Sequence, residues 1–291
     1  PIVLSNITST INYTMLTKEK SDTPITPEKK VICKRATTLH TEECTQTDAT
    51  YYCSGAGYTS TGSKGTTTIT YGNLGTSGTL TTGDAFDCDV NGDGTYDPNT
   101  ERFYYVTDMN DTTAVLIYYN NVSAGNPSNT KNYAYDSSGE NWHGPRTAIA
   151  QLPTTSQWTN VRLTNDVRSI ITNTGGNTTK GGTLPSDFSY AGYAARLLTI
   201  QEIRQGTENN NIPTWGVGEL DNFTYLLENT KFSSNDNAAG SLWLENVRTD
   251  TSANAWSMYG SYRYVHGDPV SYAGGYGVRP VIEVSKTNIE Y

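Results

Sequence analysis

The chain has 291 residues, enough for one large domain or two ordinary ones. Hydrophobic residues make up 35% and charged residues 17%, so a packed core is possible beneath a surface that is mostly uncharged and polar. A formal charge of −9 excludes the basic footprint that nucleic-acid binding requires, and no apolar run of about 18 residues is present to span a membrane.

Twenty-one tyrosines against five phenylalanines, with abundant Thr, Asn and Gly, favour short strands and long loops over helical bundles. Residues 1–30 end in the Pro/Thr/Lys stretch SDTPITPEKK and read as an N-terminal segment or linker. Residues 31–100 form a β-rich region, in which Thr66–Tyr71 fits a short strand and Thr79–Thr82, set between two glycines, is a weaker candidate. The four cysteines, Cys33, Cys44, Cys53 and Cys88, all lie in this part of the chain. An even count in a Thr-rich, Lys-poor sequence predicts two disulfides and an oxidising compartment, with three connectivities open.

The sharpest local motif follows Cys88: Asp89-Val90-Asn91-Gly92-Asp93-Gly94-Thr95-Tyr96-Asp97. Oxygen ligands at positions 1, 3, 5 and 9, with a turn glycine at 6, follow the EF-hand type of calcium loop and resemble dockerin loops. Asp89, Asn91, Asp93 and Asp97 would supply side-chain ligands and Thr95 its backbone carbonyl, for a structural calcium ion. Position 12 departs from the pattern. Thr100 stands where a bidentate acid is expected, Glu101 is one step beyond, and Asp84 and Asp87 are spare acids nearby.

Residues 101–291 carry the remaining elements. Phe103–Thr107 and Ala114–Tyr119 read as a hairpin joined at Asn110-Asp111. The polar stretches Ser123–Glu140 and Asn173–Ser189 are too long to be mere connections. Thr199-Ile200-Gln201-Glu202 has the form of a capping box, closed by Gly206, and Leu220, Phe223, Leu226 and Leu227 share a face of a second helix over 218–229. Strands are expected at Leu242–Glu245, Ala255–Tyr259, Tyr262–Val265 and Val278–Val284. The predicted fold class is α+β, two modest helices packed on a small twisted antiparallel sheet.

Between Thr249 and Tyr276 the composition changes. This stretch holds five tyrosines, four serines and four glycines, and no Lys, Glu, Gln, Leu, Ile or Phe. Stiff amphipathic Tyr beside adaptable Ser, Gly and Asn is the make-up of a binding surface. Alternation along a strand would turn Trp256 and Met258 inward and Ser257 and Tyr259 outward.

The segments Gly192-Tyr193-Ala194-Ala195-Arg196-Leu197-Leu198-Thr199, Leu242-Trp243-Leu244, Ala255-Trp256 and Gly277-Val278-Arg279-Pro280-Val281, in that order, resemble the variable proteins of diversity-generating retroelements. The resemblance covers roughly residues 101–283. It implies a C-type-lectin-like domain of the formylglycine-generating-enzyme type over 101–291, with a variable region at about 242–284 rewritten at template adenines by an error-prone reverse transcriptase. On that reading the variable, ligand-contacting positions are Thr249, Asp250, Ser252, Asn254, Ser257, Tyr259, Ser261, Tyr262, Tyr264, His266, Asp268, Ser271, Tyr272 and Tyr276. Trp243, Trp256, Val278, Arg279 and Pro280 belong to the scaffold.

Catalysis is not expected. The cysteines used by formylglycine-generating enzymes have no counterpart after Cys88, and His40, His143 and His266 form no recognisable metal motif. No GxSxG, HExxH or P-loop pattern is present. The sequence thus predicts a secreted or surface-displayed adhesin-like protein whose partner is a protein or glycan on another cell or virus surface. A glycan-binding protein without diversification, a pilin-like subunit and an enzyme on the same fold are the alternatives.

Overall fold

A computed structural model describes residues 30–46, 65–128, 131–168, 188–207, 241–248, 251–259 and 264–290. Their strands, in chain order, are β1 (Cys33–Arg35), β2 (His40–Gln46), β3 (Gly65–Tyr71), β4 (Ala85–Cys88), β5 (Arg102–Asn110), β6 (Thr113–Tyr118), β7 (Val167–Arg168), β8 (Phe188–Ser189), β9 (Ser241–Val247), β10 (Asn254–Tyr259), β11 (Tyr264–Pro269), β12 (Val281–Ser285) and β13 (Ile289–Glu290). The helices are α1 (Arg146–Ile149) and α2 (Ile200–Thr207).

A six-stranded sheet in the order β12-β6-β5-β4-β1-β13 organises the molecule, antiparallel throughout except where β1 runs parallel to β13. β4 pairs directly with β5, so strands from the Cys-bearing region and from the region after residue 100 share this one sheet. Its centre is buried on both faces, which is why β5 and β6 read as nearly continuous apolar runs. Phe103, Leu116, Tyr118 and Ile282 point into one core with Trp158 and Trp243. Tyr104, Val106, Ile117 and Val281 point into the other, against Ile69, Ile200, Trp256 and Met258.

The predicted hairpin is present, with Asn110 opposite Thr113 and the Asn110 side chain accepting from the Thr112 N–H at 2.9 Å. Both arms of the capping box form. Thr199 N–H donates to Glu202 Oε2 at 2.9 Å, and Glu202 N–H donates to Thr199 Oγ1 at 3.1 Å. Thr79–Thr82, by contrast, forms no strand; Gly78, with φ 82°, and the turn at Thr82-Gly83 interrupt the extended backbone. The helix expected over 218–229 lies outside the described residues, as do residues 1–29.

The α+β expectation is overturned. The described residues are mainly β, arranged as one six-stranded, one three-stranded and two two-stranded sheets, with only two small helices. Of the two helices expected, the one opened by the Thr199 capping box forms as α2, only 8 residues long, and the core is built instead by strand pairing across the six-stranded sheet.

Arg196 explains how α2 is held. Its buried guanidinium donates to Glu283 Oε1 at 2.7 Å and to both oxygens of Glu202, tying β12 to the capping box of α2. Nearby, Arg168 reaches Glu245 Oε1 at 3.3 Å, and the Tyr190 hydroxyl donates to Glu245 Oε2 at 3.1 Å. Burial raises the pKa of Glu245 despite these partners. Burial also pushes on Glu283, but Arg196 and the Thr164 N–H outweigh it and hold that carboxyl below its ordinary value.

Candidate functional site

Two regions qualify, an acidic loop after β4 and a surface built on β9-β10-β11. The loop begins at a fixed point, because Cys88 is bonded to Cys33, its register partner across β1 and β4. This bridge closes a chain separation of 55 residues, worth about 4 kcal/mol in the chain-entropy description. The second predicted disulfide would involve Cys44 and Cys53, whose side chains lie outside the described residues. The loop's far side rests on the segment after Trp158. Asn160 N–H donates to the Val90 carbonyl at 3.0 Å and the Thr159 hydroxyl to the Asn91 carbonyl at 2.6 Å. Gly92 has φ 79°, and a Cβ there would lie 2.7 Å from Thr159 Oγ1, so both conformation and space require glycine.

Within the loop, Asp89, Asp93 and Glu101 bring one carboxylate oxygen each to within 4.8 Å of one another, a cluster that could hold a metal ion. Asp89 already accepts from Gly92 N–H at 2.8 Å and Gly94 N–H at 3.2 Å, the turn that wraps the loop around it. Asp93 accepts from the side chain and backbone of Thr95, which lowers its pKa. Glu101 is buried, and burial, together with the charges of Asp93 and Asp89, pushes its carboxyl up to about 7 against the hydrogen bonds from Asp97 and Val90 N–H. A carboxyl destabilised as an anion in this way gains from a cation that removes the repulsion.

The ligand set differs from the sequence reading at its far end. Asp97 turns its carboxylate to Asn99 and Thr100 and is not among the clustered carboxylates, while Asn91 bonds to Asp93 beside them. Glu101, one residue past the usual twelfth position, takes the closing place instead. Asp87 and Asp84 are committed elsewhere, to Arg102 at 2.7 Å and to Arg35 at 3.8 Å. The sequence signal was the acid at position 13; that it turns inward follows from its backbone pairing with Cys88, with the Cys88 N–H on the Glu101 carbonyl at 2.9 Å.

The C-terminal surface is smaller than expected. β10 is the middle strand of the β11-β10-β9 sheet, and Trp256, Ser257 and Met258 are all buried. Ser257 therefore does not point to solvent. It lies opposite Trp243, and its hydroxyl donates to Asp268 Oδ2 at 2.7 Å. Tyr276 is also not a surface residue; it is 2% exposed and packs on Trp243 with ring centroids 4.5 Å apart. Ser252, Ser271 and Tyr272 are exposed, while Asn254, His266 and Asp268 are half-buried. Thr249, Asp250, Ser261 and Tyr262, and the side chains of Tyr259 and Tyr264, lie outside the described residues.

The scaffold assignments hold in position. Trp243 donates from its ring nitrogen to the Tyr133 carbonyl at 2.7 Å, and buried Arg279 donates to Asn121 Oδ1 at 3.0 Å. Tyr272 stands 50% exposed against Tyr276, with centroids 6.1 Å apart, so a stack runs from core Trp243 through Tyr276 to the surface. His266 Nδ1 lies 2.9 Å from Asp268 Oδ2, the oxygen that Ser257 also uses. Ser257 thus donates to the carboxylate and not to the imidazole, which is not the order of a nucleophilic triad. His143 is placed apart, 2.8 Å from Asp136 Oδ2 with Trp142 on its ring.

No family model, curated protein or solved structure matches this chain. Nothing in those comparisons identifies a retroelement variable protein or a C-type lectin fold.

Proposed function

We propose that this protein is a ligand-binding, adhesin-like protein of a cell or virion surface that acts by contact and not by catalysis. The observation that carries the reading is the Trp243–Tyr276–Tyr272 stack. It sets the half-exposed Tyr272 edge-on against buried Tyr276, in the stretch of chain that also carries the exposed or half-buried polar groups of Ser252, Asn254, His266, Asp268 and Ser271. Aromatic anchors of low entropy cost beside adjustable hydrogen-bonding groups are what a protein or glycan partner can meet. Surface display agrees with the Cys33–Cys88 bridge, which persists where thiols are oxidised. Among the described residues no helix is long and apolar enough to cross a membrane.

Calcium is the proposed ion of the loop. Asp89, Asp93 and Glu101 offer only hard oxygen donors, the ligand type that calcium takes. Its role would be to fix the loop, through Asn160 and Thr159, to the body of the fold.

The binding reading is tested with a glycan array and a panel of whole cells. A Tyr272→Ala, His266→Ala variant should melt within a degree or two of the parent and lose every partner that the parent captures. Retained capture overturns the assignment of this surface. Retroelement diversification is tested separately, by sequencing the adjacent DNA for a near-repeat of the segment encoding 242–284 that differs at adenines.

A further inference from the structure

Of the Asn-x-Ser/Thr triplets in the chain with x other than Pro, those that begin at Asn110 and Asn121 lie among the described residues. Such a triplet is the acceptor sequence for asparagine-linked glycans, and a bulky hydrophilic sugar needs its asparagine at the surface. The fold separates the two. Asn121 is fully buried, its Nδ2 donates to the Ser241 carbonyl at 3.0 Å, and its Oδ1 accepts from Arg279 at 3.0 Å. A sugar on that nitrogen would disrupt the packing and take away a buried hydrogen bond.

Asn110 is the opposite case. It ends β5 at the tip of the β5–β6 hairpin, where Asn110, Asp111 and Thr112 are all exposed. The tip is short and held in one shape. Asn110 faces Thr113 in register, and the Lys286 N–H donates to the Thr112 carbonyl at 2.9 Å. Asn110 Oδ1 accepts from the backbone N–H and from the hydroxyl of Thr112, each at 2.9 Å. This side-chain turn brings together the two residues that define the acceptor. It occupies the amide oxygen and leaves Nδ2, the atom that takes a sugar, without a hydrogen-bond partner among the described residues. A substituent on Nδ2 at this tip displaces no core side chain.

We propose that Asn110 is a glycosylation site whose co-substrate is a lipid-linked oligosaccharide, activated at its anomeric carbon by phosphate or pyrophosphate. Nδ2 forms a bond to the anomeric carbon and the bond from that carbon to the phosphate oxygen breaks. The lipid phosphate leaves with the electron pair, and Nδ2 gives up one proton. The inference rests on the surface-display reading, since an exported chain meets such a donor on its way to the compartment where the Cys33–Cys88 bridge persists. It depends neither on Tyr272 nor on the loop ion.

The test is fragmentation mass spectrometry of the tryptic peptide over 103–131, which carries both asparagines, from protein recovered at the outer surface of the cells or virions that carry it. A glycan on Asn110 and none on Asn121 is the expected result. In the same cells Asn110→Gln and Thr112→Ala should each abolish the modification, and Thr112→Ser, which keeps the hydroxyl, should retain it. All three should still fold, because the tip is exposed. Protein at the surface with a bare Asn110 overturns this inference alone, and so does a glycan that survives Thr112→Ala. Protein found only in the cytosol overturns surface display and this inference together.

Discussion

The loop over 89–101 and the surface over 251–276 both look, as sequence, like polar, glycine-bearing stretches without core character. In the fold they part. The loop is anchored from outside by Cys33 and by Thr159 and Asn160, yet the turn that wraps Asp89 and gathers its carboxylates lies within thirteen residues. The C-terminal stretch is organised by what lies above and below β10, so two of its candidate contact residues, Ser257 and Tyr276, are buried. A motif whose ligands come from one turn carries its geometry with it. A strand's alternation tells which residues share a face, but not whether a second layer covers that face.

The sharpest way to break this contrast is to truncate its two tyrosines. Tyr276→Ala removes a ring packed on Trp243 and should cost about 3–5 kcal/mol by chemical denaturation, the range for large aromatic truncations in cores. Tyr272→Ala, half exposed, should change stability by less than about 0.5 kcal/mol. Comparable losses would mean that both rings are structural and that no rigid surface anchor exists.

On the side of the loop, replacing Cys33 and Cys88 by Ser should cost about 2–4 kcal/mol. It should also weaken the response to calcium, since the bridge fixes the residue next to Asp89. Calcium itself is expected to act more modestly. At ten times its dissociation constant an ion that binds only the folded state adds about 1.4 kcal/mol, a rise of a few degrees in Tm. Asp89→Ala should abolish that rise; a melting temperature indifferent to millimolar calcium in the parent would remove the ion from the account.

The last effect concerns pH. Because the Glu101 carboxyl sits near 7 when folded against an ordinary 4.5, the folded chain holds the proton more tightly than the unfolded one. Its contribution is present below pH 4.5 and is lost as pH rises through 7. In chelator, stability should therefore fall from pH 5 to pH 7.5 more steeply in the parent than in Glu101→Gln, and calcium should flatten the parent's slope. Parallel slopes in the two proteins would place Glu101 outside the repulsive cluster.

Several parts of the molecule were legible beforehand because neighbours in sequence carry them. The β5–β6 hairpin follows from its turn and two β-rich runs, and the capping box from Thr199 and Glu202 three residues apart. The acidic turn follows from its spacing. Glu101, the third carboxylate of the cluster, was half visible, as an acid one place too late. Nothing local announced that Arg196 would meet Glu283, 87 residues on, or that His40, Tyr71 and Tyr119 would wall one cavity. The fold class was misread because the pairing of distant strands, such as β12 with β6 and β1 with β13, has no local signal.

Composition and spacing alone established a chain poor in charge, rich in tyrosine and carrying an acidic, glycine-bearing loop after Cys88, because each of these depends on residues a few positions apart. Which cysteine met which, which tyrosines reached solvent and where a cavity opened were decided by strand order in the six-stranded sheet and by the layers on its two faces. Burial is a property of what a side chain is covered by, and the cover comes from distant parts of the chain.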